Sequence, residues 1–177
     1  MTKSLIPKKN TPDKDNIMTP PSLAHDIVDH FSSRFMGGDK FLEPCSGDRA
    51  FISAIQKHPY LFEGGTGFIH SCEIRNGHDF FKHSQEGYDW IITNFPFSKY
   101  KEFLKKSMEV AENIVLFGIV CHILSLKARL RLVKEAGFYI REVVLTETPK
   151  DWTTGGFQCG AIYLSKEAGD CKFSELK

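Results

Sequence analysis

Asp89-Trp90-Ile91-Ile92-Thr93-Asn94-Phe95-Pro96-Phe97-Ser98-Lys99-Tyr100 is the stretch on which the fold turns. Its first half reads as a buried strand. Trp90, Ile91, Ile92 and Thr93 are aromatic or β-branched and carry no charge. The strand then stops at Asn94-Phe95-Pro96-Phe97. A polar amide, a proline and two flanking aromatics continue a core poorly. They suit a sheet edge that holds a flat polar group, with Pro96 fixing φ and stiffening the turn.

On the N-terminal side, Phe41-Leu42-Glu43-Pro44-Cys45-Ser46-Gly47-Asp48 is a short strand running into a tight turn. Ala50, Phe51, Ile52 and Ile55 follow as a helical apolar face. Strand, glycine turn and helix is the layout that aims backbone N–H groups and a helix N-terminus at a ligand. Glu63 to Gly67 is a loop. Phe68 to Glu73 is a second strand that ends in an acid, with Ile74 beside it, and Asn76 to Phe81 follows at once. Further upstream, Ser22 is a candidate N-cap for a helix with Leu23, Ala24, Ile27, Val28 and Phe31 on one face. Residues 1–16, with Lys3, Lys8, Lys9 and Lys14, read as a flexible arm. Residues 17–177 read as a single domain.

On the C-terminal side, a helix from about Lys99 to Glu112 carries Phe103, Leu104, Met108 and Ala111 on one face. Asn113 to Val120 is a continuous apolar run, typical of a central parallel strand. A helix over Leu126 to Ala136 closes at Gly137. Tyr139 to Thr146 and Ala161 to Leu164 are the last strands. The alternation predicts an α/β three-layer sheet, mostly parallel, with an antiparallel edge strand.

Composition narrows the partners. Of 177 residues, 41% are hydrophobic and 25% charged, and the net charge is +1. Any nucleic-acid contact must therefore come from local patches such as Lys99, Lys101, Lys105 and Lys106. No apolar run suits a membrane span, and Met1 to Asn10 lacks the apolar core of a signal peptide. Five widely spaced cysteines without a Cys-x-x-Cys pair, and seven histidines without ligand spacing, predict neither a disulfide framework nor a metal site. Cys72 and Cys121 have apolar neighbours and read as small core hydrophobes. A reducing cytoplasm is the expected setting.

Taken together, these stretches resemble the S-adenosylmethionine-dependent amino-methyltransferases, especially the adenine-N6 DNA methyltransferases with the Asn-Pro-Pro-Tyr/Phe motif. The catalytic tetrapeptide of that family looks like Asn94-Phe95-Pro96-Phe97. Its Asp/Glu-Pro-x-x-Gly cofactor motif looks like Glu43-Pro44-Cys45-Ser46-Gly47, with Phe51 at the matching aromatic position. Its ribose-binding acid looks like Glu73, next to Ile74, and its acid near the cofactor adenine looks like Asp79, followed by Phe80. Its N-terminal motif looks like Thr19-Pro20. The resemblance implies a Rossmann-like class I methyltransferase fold and S-adenosylmethionine as cofactor. It also implies methyl transfer to an exocyclic amino group, first of all N6 of adenine in DNA. An RNA base, a protein glutamine amide or a catalytically silent cofactor-binding module are the alternatives.

Three departures from the family pattern stand out. Arg49 replaces the second glycine of the cofactor loop, so the backbone there must differ or Arg49 must touch the ligand. Phe95 replaces the first proline of the tetrapeptide. Only six residues separate Glu73 from Asp79. At about 3.3 Å per residue they cannot hold both a helix and a strand, so the third strand is expected to be short or missing. Candidate substrate contacts are Lys99 and Tyr100, His122, and Trp152 in the loop that also carries Lys150, Thr153, Thr154 and Gly155. No separate target-recognition domain is expected in this chain, which leaves loop-borne specificity, a separate specificity subunit, or a substrate other than duplex DNA.

Overall fold

The computed structural model describes residues 17–150, 152 and 156–176, without the side chain of Ile123. The expected arm over 1–16 lies outside the described residues, as do Thr153, Thr154 and Gly155. The strands are β1 (Lys40–Glu43), β2 (Phe68–Ser71), β3 (Tyr88–Thr93), β4 (Ala111–Ile119), β5 (Tyr139–Leu145), β6 (Cys159–Ser165) and β7 (Lys172–Glu175). The helices are α1 (Pro21–Ser32), α2 (Ala50–Ile55), α3 (Tyr100–Val110), α4 (Cys121–Leu124) and α5 (Lys127–Glu135). They build one seven-stranded sheet in the order β2-β1-β3-β4-β6-β5-β7.

Side-chain alternation along the strands dictates two cores. In β3, Trp90 and Ile92 join the side of α1 and α2, while Ile91 joins the side of α3 and α5. In β4, Val115 and Phe117 face the first layer, and Ile114 and Leu116 the second. A strand buried on both faces reads as a continuous apolar run, which is why β4 was legible. The result is a three-layer α/β sandwich.

The parallel pairs are β2–β1, β1–β3, β3–β4 and β5–β7. From β1 the chain goes outward to β2, then returns to the other side of β1 as β3. This reversal opens a crevice at the carboxyl ends of β1 and β3. No strand lies beyond β2 among the described residues. Two single 3₁₀ turns (Ile74–Asn76 and Phe80–Lys82) and one isolated bridge, Glu73 with His78, occupy the short gap. The third strand is indeed missing.

Two local expectations change. The antiparallel strand, β6, sits inside the sheet and not at its edge, because β5 and the unforeseen β7 lie outside it. Ser22 is not the N-cap. Helix α1 begins at Pro21 with Pro20 in the cap position and no side-chain cap. Proline costs little there, since a first-turn N–H has no helical partner anyway. No helix among the described residues is long and apolar enough to cross a membrane.

Candidate active site

A cleft of about 380 Å³ opens at the carboxyl ends of β1, β2 and β3, within the roughly 300–1,000 Å³ range of small-molecule sites. One wall is Pro44, Cys45 and Gly47 with Glu73, Ile74 and Asp79; the other is Asn94 to Lys99. A smaller hollow beside it is lined by Thr19, Phe51 and again Asn94. Most of the residues singled out in the sequence thus meet in one place, although Pro44 and Asn94 lie 50 positions apart in the chain.

Asn94 carries the sharpest feature. Its Nδ2 donates to the Ile17 carbonyl at 3.2 Å and lies 3.4 Å from Thr19 Oγ1. A carbonyl only accepts, so this bond sets which way the amide faces. Oδ1 is left buried with no partner. A buried acceptor without a donor costs about 1–3 kcal/mol. Gly118 on β4 leaves the space beside it open: a Cβ there would lie 3.7 Å from Asn94 Oδ1 and 3.7 Å from Phe97 Cε1. The Phe97 ring is half-buried and meets His122 edge-on at 5.0 Å. Phe95 turns the other way. It is buried against Phe103 (5.2 Å) and Tyr100 (5.6 Å), which anchors the tetrapeptide to α3.

The turn after β1 does not aim its amides at a ligand, contrary to the expectation from its layout. Cys45 N donates to Glu43 Oε1, Ser46 N to the Cys72 carbonyl, Gly47 N to Glu73 Oε2 and Arg49 N to the Ser46 carbonyl. A loop whose amides are already taken by its own carboxylates is a poor phosphate cradle. Arg49 adopts a left-handed backbone (φ 66°). Its exposed side chain is not part of the cleft wall.

Two carboxyls with different environments flank this turn. Burial pushes the Glu43 carboxyl up to about 8 against the hydrogen bonds from Thr93 and Cys45, so it is neutral at pH 7. Glu43 braces the turn from beneath and does not line the cleft. At Glu73 burial also pushes upward. The Arg75 side chain (Nε, 2.9 Å), the Arg75 amide (3.0 Å) and the Gly47 amide (2.9 Å) outweigh it and hold the carboxyl below its usual range. Glu73 is therefore a charged wall residue. Burial, then Glu43, Glu73 and Cys72, push the Cys45 thiol well up, so it is no nucleophile.

Several expected contacts lie elsewhere. Tyr100 is 5% exposed and Trp152 9% exposed. Tyr100 packs in the α3 core, and Trp152 packs against Phe117 with its ring tilted while its Nε1 donates to the Met18 carbonyl. Both are buried, because apolar burial won over the loop position suggested for them. Cys72 is a core residue as expected, but Cys121 is only half-buried. Pro20 caps α1 outside the cleft. Lys99 lines it, and His122 stands behind Phe97. Burial, then Arg129, push the His122 imidazole below its usual value, so it is neutral at pH 7.

The sequence reading missed Ile17, Met18, Arg75 and Gly118. Thr19 was a signal for the first two, as their chain neighbour. Gly118 in the middle of an apolar strand was a signal of close backbone approach. Arg75 gave no signal, because its bond to Glu73 depends on the 3₁₀ turn.

No protein-family model matches the chain, and no curated protein is significantly similar to it. Solved structures are similar in fold. A Listeria monocytogenes protein assigned as a class I S-adenosylmethionine-dependent methyltransferase matches with a TM-score of 0.64 at 11% identity, over 94% of this chain and 68% of that one. A Vibrio vulnificus protein assigned as the modification subunit of a type I restriction enzyme matches with a TM-score of 0.61 at 13% identity, over 93% and 48%. An S-adenosylmethionine-dependent O-methyltransferase of Thermotoga maritima matches with a TM-score of 0.56 at 11% identity, over 86% and 68%. The chain spans about half the length of the Vibrio subunit. It has the Rossmann-like class I methyltransferase fold.

Proposed function

We propose that this chain transfers a methyl group from S-adenosylmethionine to an exocyclic amino group, with N6 of adenine in DNA as the acceptor. The observation that carries the reading is the buried, unpartnered Asn94 Oδ1 just after β3, on a residue that lines both hollows beside Gly118 and Phe97. An amino hydrogen is the group that satisfies it. The residues present also fit the cofactor. The cleft has the volume of a small-molecule site, its amides are turned away from phosphate, and the ionised Glu73 suits hydroxyls or a positive charge.

S-adenosylmethionine, when bound, supplies an electrophilic methyl on a sulfonium. The chain's own residues do the rest by positioning. Asn94 Oδ1 accepts an amino hydrogen and draws the nitrogen lone pair out of conjugation. The Phe95 backbone carbonyl is the second acceptor in this reading. Pro96 keeps the tetrapeptide stiff. The half-buried Phe97 offers a face for the base, a contact worth about 1–3 kcal/mol. A base in a duplex would have to be flipped out to reach it. The Vibrio neighbour's description as a modification subunit supports DNA as substrate and a separate specificity subunit as partner.

Incubation with methyl-labelled S-adenosylmethionine and DNA, RNA or protein tests the reading. Label is expected in DNA. Label in RNA or in glutamine side chains would move the acceptor, and tight cofactor binding without transfer would point to a silent module. Asn94→Ala should lower transfer at least about 100-fold with cofactor affinity nearly unchanged; full activity in this variant would sink the assignment.

A further inference from the structure

The missing third strand leaves a physical problem. In the relatives of this fold described by the sequence resemblance, a helix and a strand follow the ribose-binding acid. Here the chain from Gly77 to Gly87 carries four cleft residues, His78, Asp79, Phe80 and Phe81, and no strand pairs its backbone. The Asp79 and Phe80 carbonyls take the Lys82 and His83 amides within the turn, which leaves the Phe81 and His83 carbonyls to donors from elsewhere.

Those donors come from α3. Lys106 Nζ donates to the Phe81 carbonyl at 3.1 Å and to the His83 carbonyl at 2.7 Å. The same ammonium lies 5.3 Å from the centre of the Phe80 ring, on its face. Lysine has three N–H donors and no acceptor. Two carbonyls and one aromatic face account for them. Phe80 is buried and stacked on Phe103 of α3 at 5.5 Å. At the far end of the segment, the Tyr88 hydroxyl lies 2.7 Å from His83 Nε2 and 2.7 Å from His70 Nδ1, which ties it to β2.

We propose that Lys106 is a positioning residue for the cofactor: from α3 it holds the Asp79–His83 segment in place as the cleft wall that a third strand would otherwise supply. This rests on the reading of the cleft as an S-adenosylmethionine site. Lys106 does not line the cleft and acts through Phe80, Phe81 and the backbone. Its place on α3 adds a second consequence. Phe103, one turn earlier, packs on Phe80 and Phe81 and also on Phe95 of the tetrapeptide (4.7–5.5 Å). One helix therefore braces the donor wall and the acceptor loop together.

The test is Lys106→Met, which keeps the aliphatic stem and removes the donors. Three quantities are measured: affinity for S-adenosylmethionine by calorimetry, the rate of transfer at saturating cofactor, and amide hydrogen exchange of the ligand-free protein. Affinity should fall about tenfold or more, the loss of charge-assisted hydrogen bonds to two carbonyls. The saturated rate should stay within about threefold of wild type. Exchange should quicken over residues 79–87 and nowhere else. Lys106→Gln, which keeps a neutral donor, should recover part of the affinity. Unchanged affinity in Lys106→Met beside a binding wild type would overturn the positioning role alone. Faster exchange throughout the molecule would reduce Lys106 to a general stabiliser and overturn it too. A wild type that binds no S-adenosylmethionine would overturn the cofactor reading, and this role with it.

Discussion

Thr93 Oγ1 donates a 2.6 Å hydrogen bond to Glu43 Oε1, so the last residue of β3 is tied to the last residue of β1. Both are buried. The bond joins the strand that ends in the glycine turn to the strand that ends in Asn94. Burial keeps the Glu43 carboxyl neutral against the pull of this bond.

That gives a stability prediction. The folded-state value of Glu43 is raised to about 8 from 4.5. The unfolded chain releases its proton first, so this group favours the fold fully below about pH 4.5. The advantage is lost progressively as pH rises to about 8. Glu43→Gln keeps an oxygen for Cys45 N and Thr93 and removes the titration. Urea midpoints of the variant should exceed those of wild type increasingly from pH 5 to 8; parallel profiles would show that Glu43 is charged in the fold.

Glu73 should matter for binding in a different way. Its oxygens hold Arg75 and Gly47, and its side chain lines the cleft. Glu73→Ala is expected to weaken S-adenosylmethionine about tenfold or more, the cost of losing charged hydrogen bonds, with a smaller effect on the rate at saturation. Calorimetric titration decides it. Equal affinity would remove Glu73 from the ribose role.

Gly118 should separate the acceptor from the cofactor. Its φ of 154° disfavours a side chain, and a Cβ there would lie 3.7 Å from both Asn94 Oδ1 and Phe97 Cε1. Gly118→Ala should cost about 1–3 kcal/mol of stability through backbone strain. It should also lower transfer at least about tenfold by narrowing the approach to Asn94. Cofactor affinity should hold. Steady-state kinetics with variable acceptor, beside a cofactor titration, distinguish the two effects.

Away from the cleft, Glu142 keys α1 to the far half of the sheet. It is buried on β5 and held by His30 Nε2 (2.8 Å), Arg34 Nη2 (2.6 Å) and Ser174 Oγ (2.7 Å). Burial pushes its carboxyl up, but His30, Ser174 and Arg34 hold it below the usual value. Its stabilisation is therefore present at neutral pH and lost as pH falls below about 4.5. Glu142→Ala should cost about 2–3 kcal/mol at pH 7, less than for a fully buried pair because His30 and Arg34 keep contact with water. The difference from wild type should shrink in acid, which chemical denaturation at pH 7 and pH 4 would show.

What the sequence determined by itself is the local half of this protein. Trp90 to Thr93 and Asn113 to Ile119 are strands because β-branched and aromatic runs of that length bury on both faces of a parallel sheet. The six-residue gap after Glu73 left no room for both a helix and a strand by chain length alone. Asn94-Phe95-Pro96-Phe97 pointed to its own site, because a polar stop on an apolar strand is a local signal. The tertiary structure alone decided the rest. It buried Tyr100 and Trp152, placed β6 inside the sheet, and put Lys106 under the cleft wall. It also turned the amides of Cys45 and Gly47 onto Glu43 and Glu73, and left Asn94 Oδ1 without a donor. Each of these depends on which distant groups compete for the same apolar surface or the same hydrogen bond, and residue order along the chain does not encode that competition locally.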